Sequence, residues 1–387
     1  MAASRIYLDN AATSWPKPPE VVTAVEQYMR ESGVAVGRGA TQRGAELQQV
    51  VDRCRLRAAR LLGAASPQQI AFAWNGTDAL NMALHGLLRT GDHVVTTDTE
   101  HNSVLRPLLA LRQRIGIEVD YVTPASDGVV SAEMLAAALR PQTRLVVVSH
   151  VSNVTGAIQP VGEIIAAAKA VGARTLIDAA QSAGHLPIDV EVLGPDLLAC
   201  SGHKGLLGPL GTGLLYIAPG REKELDSLRQ GGTGTRSEDE SQPASLPDKY
   251  ESGNHNAPGL VGLEAALAWI ESQTVVALRR HEQQLTTRLR DGLADVGGVT
   301  LYGPESAEAR SGVLSFSIAG FDPQEAAAIL DSHYGIESRA GLHCAPRMHR
   351  ALGTFNSGGT VRLSVGAFTT ESQVDAAITA IRELAGG

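Results

Sequence analysis

Asp178 and Lys204 each close an apolar stretch, Thr175-Leu-Ile-Asp178-Ala-Ala-Gln181 and Leu197-Leu-Ala-Cys-Ser-Gly-His203-Lys204. Strands that are apolar throughout belong inside a covered parallel sheet, so a polar residue at the C-terminal end falls at the rim. A carboxylate and an amine at that rim could serve one bound heteroaromatic aldehyde. The anion would keep a pyridine nitrogen protonated and electron-accepting, and the lysine would hold the aldehyde as a Schiff base. Those are the two needs of pyridoxal 5'-phosphate (PLP), which is therefore the expected cofactor. An ordinary strand-end ion pair uses the same two residue types, so the reading depends on their surroundings.

A phosphate needs donors, and a glycine-containing turn that opens a helix offers them through unpaired N–H groups and the helix dipole. Gly76 and Thr77, in Asn75-Gly-Thr-Asp-Ala-Leu-Asn81, fit that description. Ser201 and His203 beside Lys204 could add donors, and so could Thr233 in Gly231-Gly-Thr233, reaching across from a second subunit. His101, in Asp98-Thr-Glu-His-Asn-Ser103, follows a strand and precedes a helix. Its ring could stack on a flat cofactor and move protons, or it could simply cap the helix. Asn153 and Gln181 end neighbouring strands and could bond a phenolic oxygen. Arg362, in Thr360-Val-Arg-Leu-Ser364, could grip a carboxylate through two parallel hydrogen bonds. Arg38 and Asn10 are further candidates from the N-terminal segment.

Three cysteines with no CxxC spacing indicate neither a disulfide framework nor a zinc site. Cys54 sits on a helical apolar stripe and Cys200 inside an apolar strand, so both are expected in the core. Cys344 lies in the loop-like run Arg339-Ala-Gly-Leu-His-Cys-Ala-Pro346, where cations would favour the reactive thiolate.

Alternating elements must position these groups. Helices are expected near 18–32, 45–62, 103–115, 131–139 and 161–171, with another starting at Thr77. Strands are expected at 69–73, 93–97, 118–122, 144–149, 174–178, 196–201 and 212–217. Such alternation implies an α/β fold with a mainly parallel sheet covered on both faces, and ligands at the carboxyl ends of its strands. The Gly-, Ser- and Pro-rich stretch 229–256 breaks the rhythm and reads as a lid or intersubunit loop. A long helix near 258–292, strands near 299–302 and 313–318, and helices at 323–334 and 371–384 form a smaller α+β unit. The expected division is a large domain over 15–257 and a small one built from 1–14 and 258–387. At 387 residues, 43% hydrophobic and with a net charge of −8, the chain suits a globular protein that binds neither nucleic acid nor membrane. Its N-terminus enters a strand without a signal-peptide core, so a cytoplasmic location is expected.

Taken in order, these segments resemble the class V aminotransferase-fold family, and within it the cysteine desulfurases. The resemblance runs from Tyr7-Leu-Asp-Asn-Ala-Ala-Thr-Ser14 through Thr99-Glu-His-Asn-Ser103, Ser152-Asn-Val-Thr-Gly156, Asp178-Ala-Ala-Gln181 and Ser201-Gly-His-Lys204. It closes on the Cys344 run and Val361-Arg-Leu-Ser364. It implies the PLP-dependent transferase fold (fold type I, aspartate aminotransferase-like). It further implies Lys204 on the cofactor aldehyde, Asp178 on the pyridinium and His101 stacked on the ring. Asn153 and Gln181 would bind the phenolic oxygen or substrate, and Gly76, Thr77, Ser201, His203 and the second subunit's Thr233 the phosphate. Arg362, Asn153, Arg38, Asn10 and Arg339 form the implied substrate-binding set. Cys344 would take sulfur from L-cysteine as a persulfide, releasing L-alanine.

The resemblance also implies a homodimer and a small sulfur-acceptor protein. Only Ala345 and Pro346 separate Cys344 from Arg347, which resembles the branch with a short, constrained cysteine loop, as in SUF-type desulfurases and selenocysteine lyases. The chain departs from that branch at Leu342, where a second histidine is common, at Asn254, where threonine is usual, and over 231–247. L-Selenocysteine as substrate, or another class V aminotransferase-type reaction, stands as the alternative. A catalytically silent relative is the rival from another class, and the simultaneous presence of Lys204, Asp178, His101, Cys344 and Arg362 argues against it.

Overall fold

The computed structural model describes residues 5–37, 41–235 and 238–386. Its strands are β1 (Ile6–Tyr7), β2 (Ile70–Ala73), β3 (His93–Thr97), β4 (Glu118–Val122), β5 (Thr143–Ser149), β6 (Arg174–Asp178), β7 (Leu197–Ser201), β8 (Gly213–Ile217), β9 (Val299–Tyr302), β10 (Val313–Ile318), β11 (Ile336–Glu337), β12 (Arg339–Gly341) and β13 (Thr360–Ser364). The α-helices are α1 (Pro19–Gln27), α2 (Gln42–Leu62), α3 (Gly76–Leu87), α4 (Asn102–Ile115), α5 (Ala132–Ala136), α6 (Val161–Ala170), α7 (Val190–Leu193), α8 (Ala257–Gln273), α9 (Val275–Ala294), α10 (Pro323–Tyr334), α11 (Pro346–Ala351) and α12 (Glu371–Gly386).

The large sheet has seven strands in the order β2-β8-β7-β6-β5-β3-β4. Only β8 runs against its neighbours; the contiguous pairs from β7 to β4 are parallel. Alternate residues of each strand feed separate cores, as a period of two requires. Val146 and Val148 join one cluster with α2 and α8, while Leu145 and Val147 join another with α3 and α4. Cys54 and Cys200 are fully buried in the first cluster, as their apolar surroundings predict. The strand order reverses between β3 and β5, and the carboxyl ends flanking that point are where a ligand crevice opens.

A second, antiparallel sheet has the order β12-β13-β10-β9, and β1 pairs in parallel with β11. Leu8 from the N-terminus shares this smaller core with α9, α10 and α12, so the first residues do complete the C-terminal unit.

One expectation needs correction. The continuous helix expected at 258–292 is two helices, α8 and α9, whose axes meet at 79°. Thr274 makes the break with φ 65°, and its Oγ1 accepts from Ala277 N at 3.2 Å to cap α9. Leu260, Leu263 and Leu267 of α8 pack into the large-sheet core, whereas Leu285, Leu289 and Leu293 of α9 pack into the small one. The side chains thus change core across Thr274. The described residues of 229–256 carry no helix or strand. Arg229 fastens one end to Asp78 at 2.9 Å, and the buried Glu251 grips Arg55 at 2.6 and 2.8 Å at the other. No single helix among the described residues is long and apolar enough to cross a membrane.

Candidate active site

A cavity of ≈ 340 Å³ opens at the carboxyl ends of β5, β6 and β7 and is closed on its far side by the second sheet. Of the residues singled out in the sequence, Gly76, Thr77, His101, Asn153, Asp178, Gln181, Ser201, His203, Lys204, Arg339, Cys344 and Arg362 all line it. Asn10 does not: its Nδ2 donates to Ser364 O at 3.0 Å and its Oδ1 accepts from Trp15 N at 3.2 Å, so its amide braces the N-terminal turn. Thr233 lies around a separate hollow formed by 230–235 and 239–243 in the same chain. Arg38 lies outside the described residues.

Asp178 and Lys204 come from adjacent parallel strands, whose register sets Asp178 opposite Ala199. Burial raises the Asp178 pKa, against the lowering effects of the Ala180 N–H, which donates to Oδ1 at 2.9 Å, and of Lys204. A carboxylate this deep calls for a further cationic donor, which is what a protonated pyridine nitrogen is. Burial also drops Lys204 to about 8, although Asp178 pulls it back up. A lysine so placed holds a substantial fraction of free amine near neutral pH, the form that adds to an aldehyde.

His101 caps α4: its Nδ1 accepts from Ser103 N at 3.0 Å. The neutral ring therefore carries its proton on Nε2. Burial, with help from Lys204, holds its pKa down at about 4. Capping and cofactor stacking are thus compatible, because the cap uses one ring nitrogen and fixes the ring at the cavity wall.

The N-terminus of α3 forms a donor-rich pocket at one end. Gly76 N donates to Ser201 Oγ at 3.3 Å, and a Cβ on Gly76 would sit 2.5 Å from that oxygen. Thr77 Oγ1 and Ser103 Oγ are 2.7 Å apart. His203 Nδ1 is buried without a partner. A helix dipole, hydroxyls and an orphaned imidazole nitrogen suit a phosphate, so the residues present fit PLP at both its charged ends.

At the opposite end, His343 and Cys344 adopt φ 46° and 58°, two successive non-glycine residues in the left-handed region. Such strain persists only where surroundings fix it. Asn153 Nδ2 donates to His343 O at 2.6 Å, Asn102 N donates to Cys344 O at 2.7 Å, and His343 Nε2 meets Thr360 Oγ1 at 3.0 Å. Cys344 itself stays exposed. Asn153 thus spends its donor on the cysteine turn, and Gln181 Nε2 donates to Ala11 O at 2.9 Å. Arg362 is buried; its Nη2 donates to Asp9 Oδ1 at 2.7 Å and its Nη1 to Asn153 O at 3.0 Å, while Nε has no partner. Asp9 is the functional candidate missed in the sequence. Its only signal was a carboxylate inside the opening motif, beside Asn10.

The model of the family Aminotransferase class-V matches residues 6–377. The chain belongs to that family. Its curated relatives within the class V aminotransferases include a probable cysteine desulfurase of Methanothermobacter thermautotrophicus, 37% identical over 98% of this chain and 95% of that protein. A cysteine desulfurase of Escherichia coli O157:H7 is 31% identical over 98% and 93%. Among solved structures, the apo cysteine desulfurase of Thermococcus onnurineus NA1 superimposes with a TM-score of 0.92 at 34% identity, covering 99% of this chain and 95% of that one. These relatives carry the name cysteine desulfurase or probable cysteine desulfurase and match nearly the whole chain, in agreement with the family and fold expected above.

Proposed function

We propose that this chain is a PLP-dependent cysteine desulfurase that converts L-cysteine to L-alanine and keeps the sulfur on Cys344. The observation that carries the reading is a thiol fixed by a strained turn at the wall of the cavity that also holds Lys204, Asp178 and Arg362. When bound, PLP supplies an electron sink for the pair released from the substrate Cα. Asp178 would hold the ring nitrogen, His101 would pack against the ring, and Gly76, Thr77, Ser201 and His203 would receive the phosphate. Lys204 Nζ carries the proton from the substrate Cα. Arg362, with Arg339 nearby, orients the substrate carboxylate, so that the Cβ–Sγ bond points to Cys344. Cys344 Sγ gives up its proton and attacks the substrate sulfur. The S–S bond forms as Cβ–Sγ breaks and leaves its electron pair with the substrate carbon. Alanine is completed by a proton taken up at Cβ and the return of the Cα proton by Lys204 Nζ.

The persulfide then passes to an acceptor thiol, and a turn this short favours a small sulfur-acceptor protein that reaches in. Thr233 completes the phosphate site from a second copy in a homodimer. Three free cysteines suit a reducing, cytoplasmic compartment.

The test is alanine and sulfide release from L-cysteine, with L-selenocysteine in parallel. Lys204→Ala should lose the visible absorption of lysine-bound PLP. Cys344→Ala should keep that absorption and lose sulfide release by at least about a hundredfold. Full desulfuration by Cys344→Ala would overturn the assignment.

A further inference from the structure

Asp9 stands behind the two arginines of the substrate end without lining the cavity. Its Oδ1 accepts from Arg362 Nη2 at 2.7 Å, and its Oδ2 lies 4.0 Å from Arg339 Nη1. The backbone holds it there: Tyr7 Oη and Ala12 N both bond Asp9 O, at 3.2 and 3.0 Å, and Asp9 forms a bridge with Ser364 next to β13. One carboxylate therefore offsets one of two guanidinium charges, and only a single positive charge is left for the ligand at that end.

We infer that Asp9 is a positioning residue that sets the charge of the amino acid accepted, favouring a substrate with one carboxylate over one with two. This rests on the reading of Arg362 and Arg339 as the carboxylate site. The remaining charges at the cavity fit the inference. Lys204 is assigned to the cofactor aldehyde and so adds no free ammonium in the loaded protein. Asp178 supplies an anion at the far end, and burial keeps His101 and His343 neutral at physiological pH. A second carboxylate on the ligand side chain would point toward Cys344, into the field of Arg362 and Arg339. Asp9 weakens that field. Removing its charge strengthens attraction for every carboxylate at that end, so a ligand with two gains more than a ligand with one.

The experiment uses PLP-loaded protein and reads binding, not turnover, so it does not depend on desulfuration. L-Alanine and L-aspartate are titrated in turn, following the visible absorption of the cofactor. In Asp9→Asn the affinity ratio of aspartate to alanine should rise about tenfold. In Arg339→Gln, which removes a cation instead, the same ratio should fall. Asp9→Glu, which retains the charge, should leave it near wild type. A purely structural role for Asp9 would weaken both ligands equally. An unchanged ratio in Asp9→Asn, or a ratio in Arg339→Gln that does not fall, would overturn the inference. If Asp9→Asn does not fold, Asp9→Ser removes the same charge and is read in the same way. Failure of the cysteine desulfurase reading would show separately, as normal ligand binding without sulfide release.

Discussion

Burial pushes Lys204 and Asp178 toward their neutral forms together; Asp178 is the main force that resists this in Lys204, whereas in Asp178 the Ala180 N–H resists it ahead of Lys204. On the proposed reading, bound PLP would change that balance by giving Asp178 a cation and engaging the lysine amine. One consequence is measurable without substrate. Lys204 titrates near 8, and only its neutral form adds to an aldehyde, so the rate at which apo-protein acquires the visible absorption of bound PLP should rise with pH and level off above about 8. Stopped-flow absorbance from pH 6 to 9.5 measures it; a flat profile would contradict the assigned state of Lys204. At this scale the sequence was highly legible. Lys204, Asp178 and His101 end strands, so local pattern put them at one rim; Cys344 showed only as a loop cysteine among cations, and its role beside them came from the family resemblance. Asp9 was not legible in this way, because its partners Arg362 and Arg339 lie more than three hundred residues away and only the folded chain brings them to its carboxylate.

The secondary-structure elements were legible where their period was clean. The strands of the large sheet fall within about one residue of expectation, since continuous apolar runs bounded by turns leave little choice. The α8–α9 break was invisible because Thr274 is neither glycine nor proline, and its positive φ follows from packing two helices into two different cores. The two- and three-residue strands β11 and β12 are too short to show a period. Element packing also makes a prediction about the phosphate pocket. Gly213 of β8 lies against the turn before α3, and a Cβ there would sit 2.5 Å from Asn75 C and 2.6 Å from its carbonyl oxygen. Backbone cannot yield as a side chain does. Gly213→Ala should cost about 1–3 kcal/mol of stability, and should weaken PLP binding as the start of α3 is displaced. Denaturant unfolding and spectrophotometric PLP titration test the two halves; normal values in both would show that the close approach is dispensable.

Across the whole molecule, the two units are tied by His185, which follows β6, and Glu282, on α9, with Nδ1–Oε1 at 2.8 Å. Burial alone would lower the His185 pKa, but the Glu282 carboxylate outweighs it and the pKa is raised above 6.5. A raised histidine pKa stabilises the folded state fully below the unfolded value and loses that contribution as pH climbs through the folded one. His185→Gln should therefore cost about 1–3 kcal/mol at pH 6 and progressively less as the pH is raised above 6.5. Paired unfolding curves across pH 6 to 9 measure the convergence, and a constant gap would exclude the titrating pair. The same imidazole packs against Gly205, where a Cβ would meet its Cδ2 at 2.4 Å, so the contact between units runs to the residue beside Lys204.

On the proposed assignment, the pinned turn at Cys344 would also govern how sulfur leaves the protein. A thiol on a long arm can carry its cargo outward and choose among docking sites, but this one is pinned through the carbonyls of His343 and Cys344. Export then becomes a problem of entry: the recipient must project a nucleophile into the cleft. Selection among recipients rests on their shape, with small diffusible thiols competing against any dedicated protein. Turnover should accordingly scale with recipient concentration, as a collision does, and not with the swing rate of a loop.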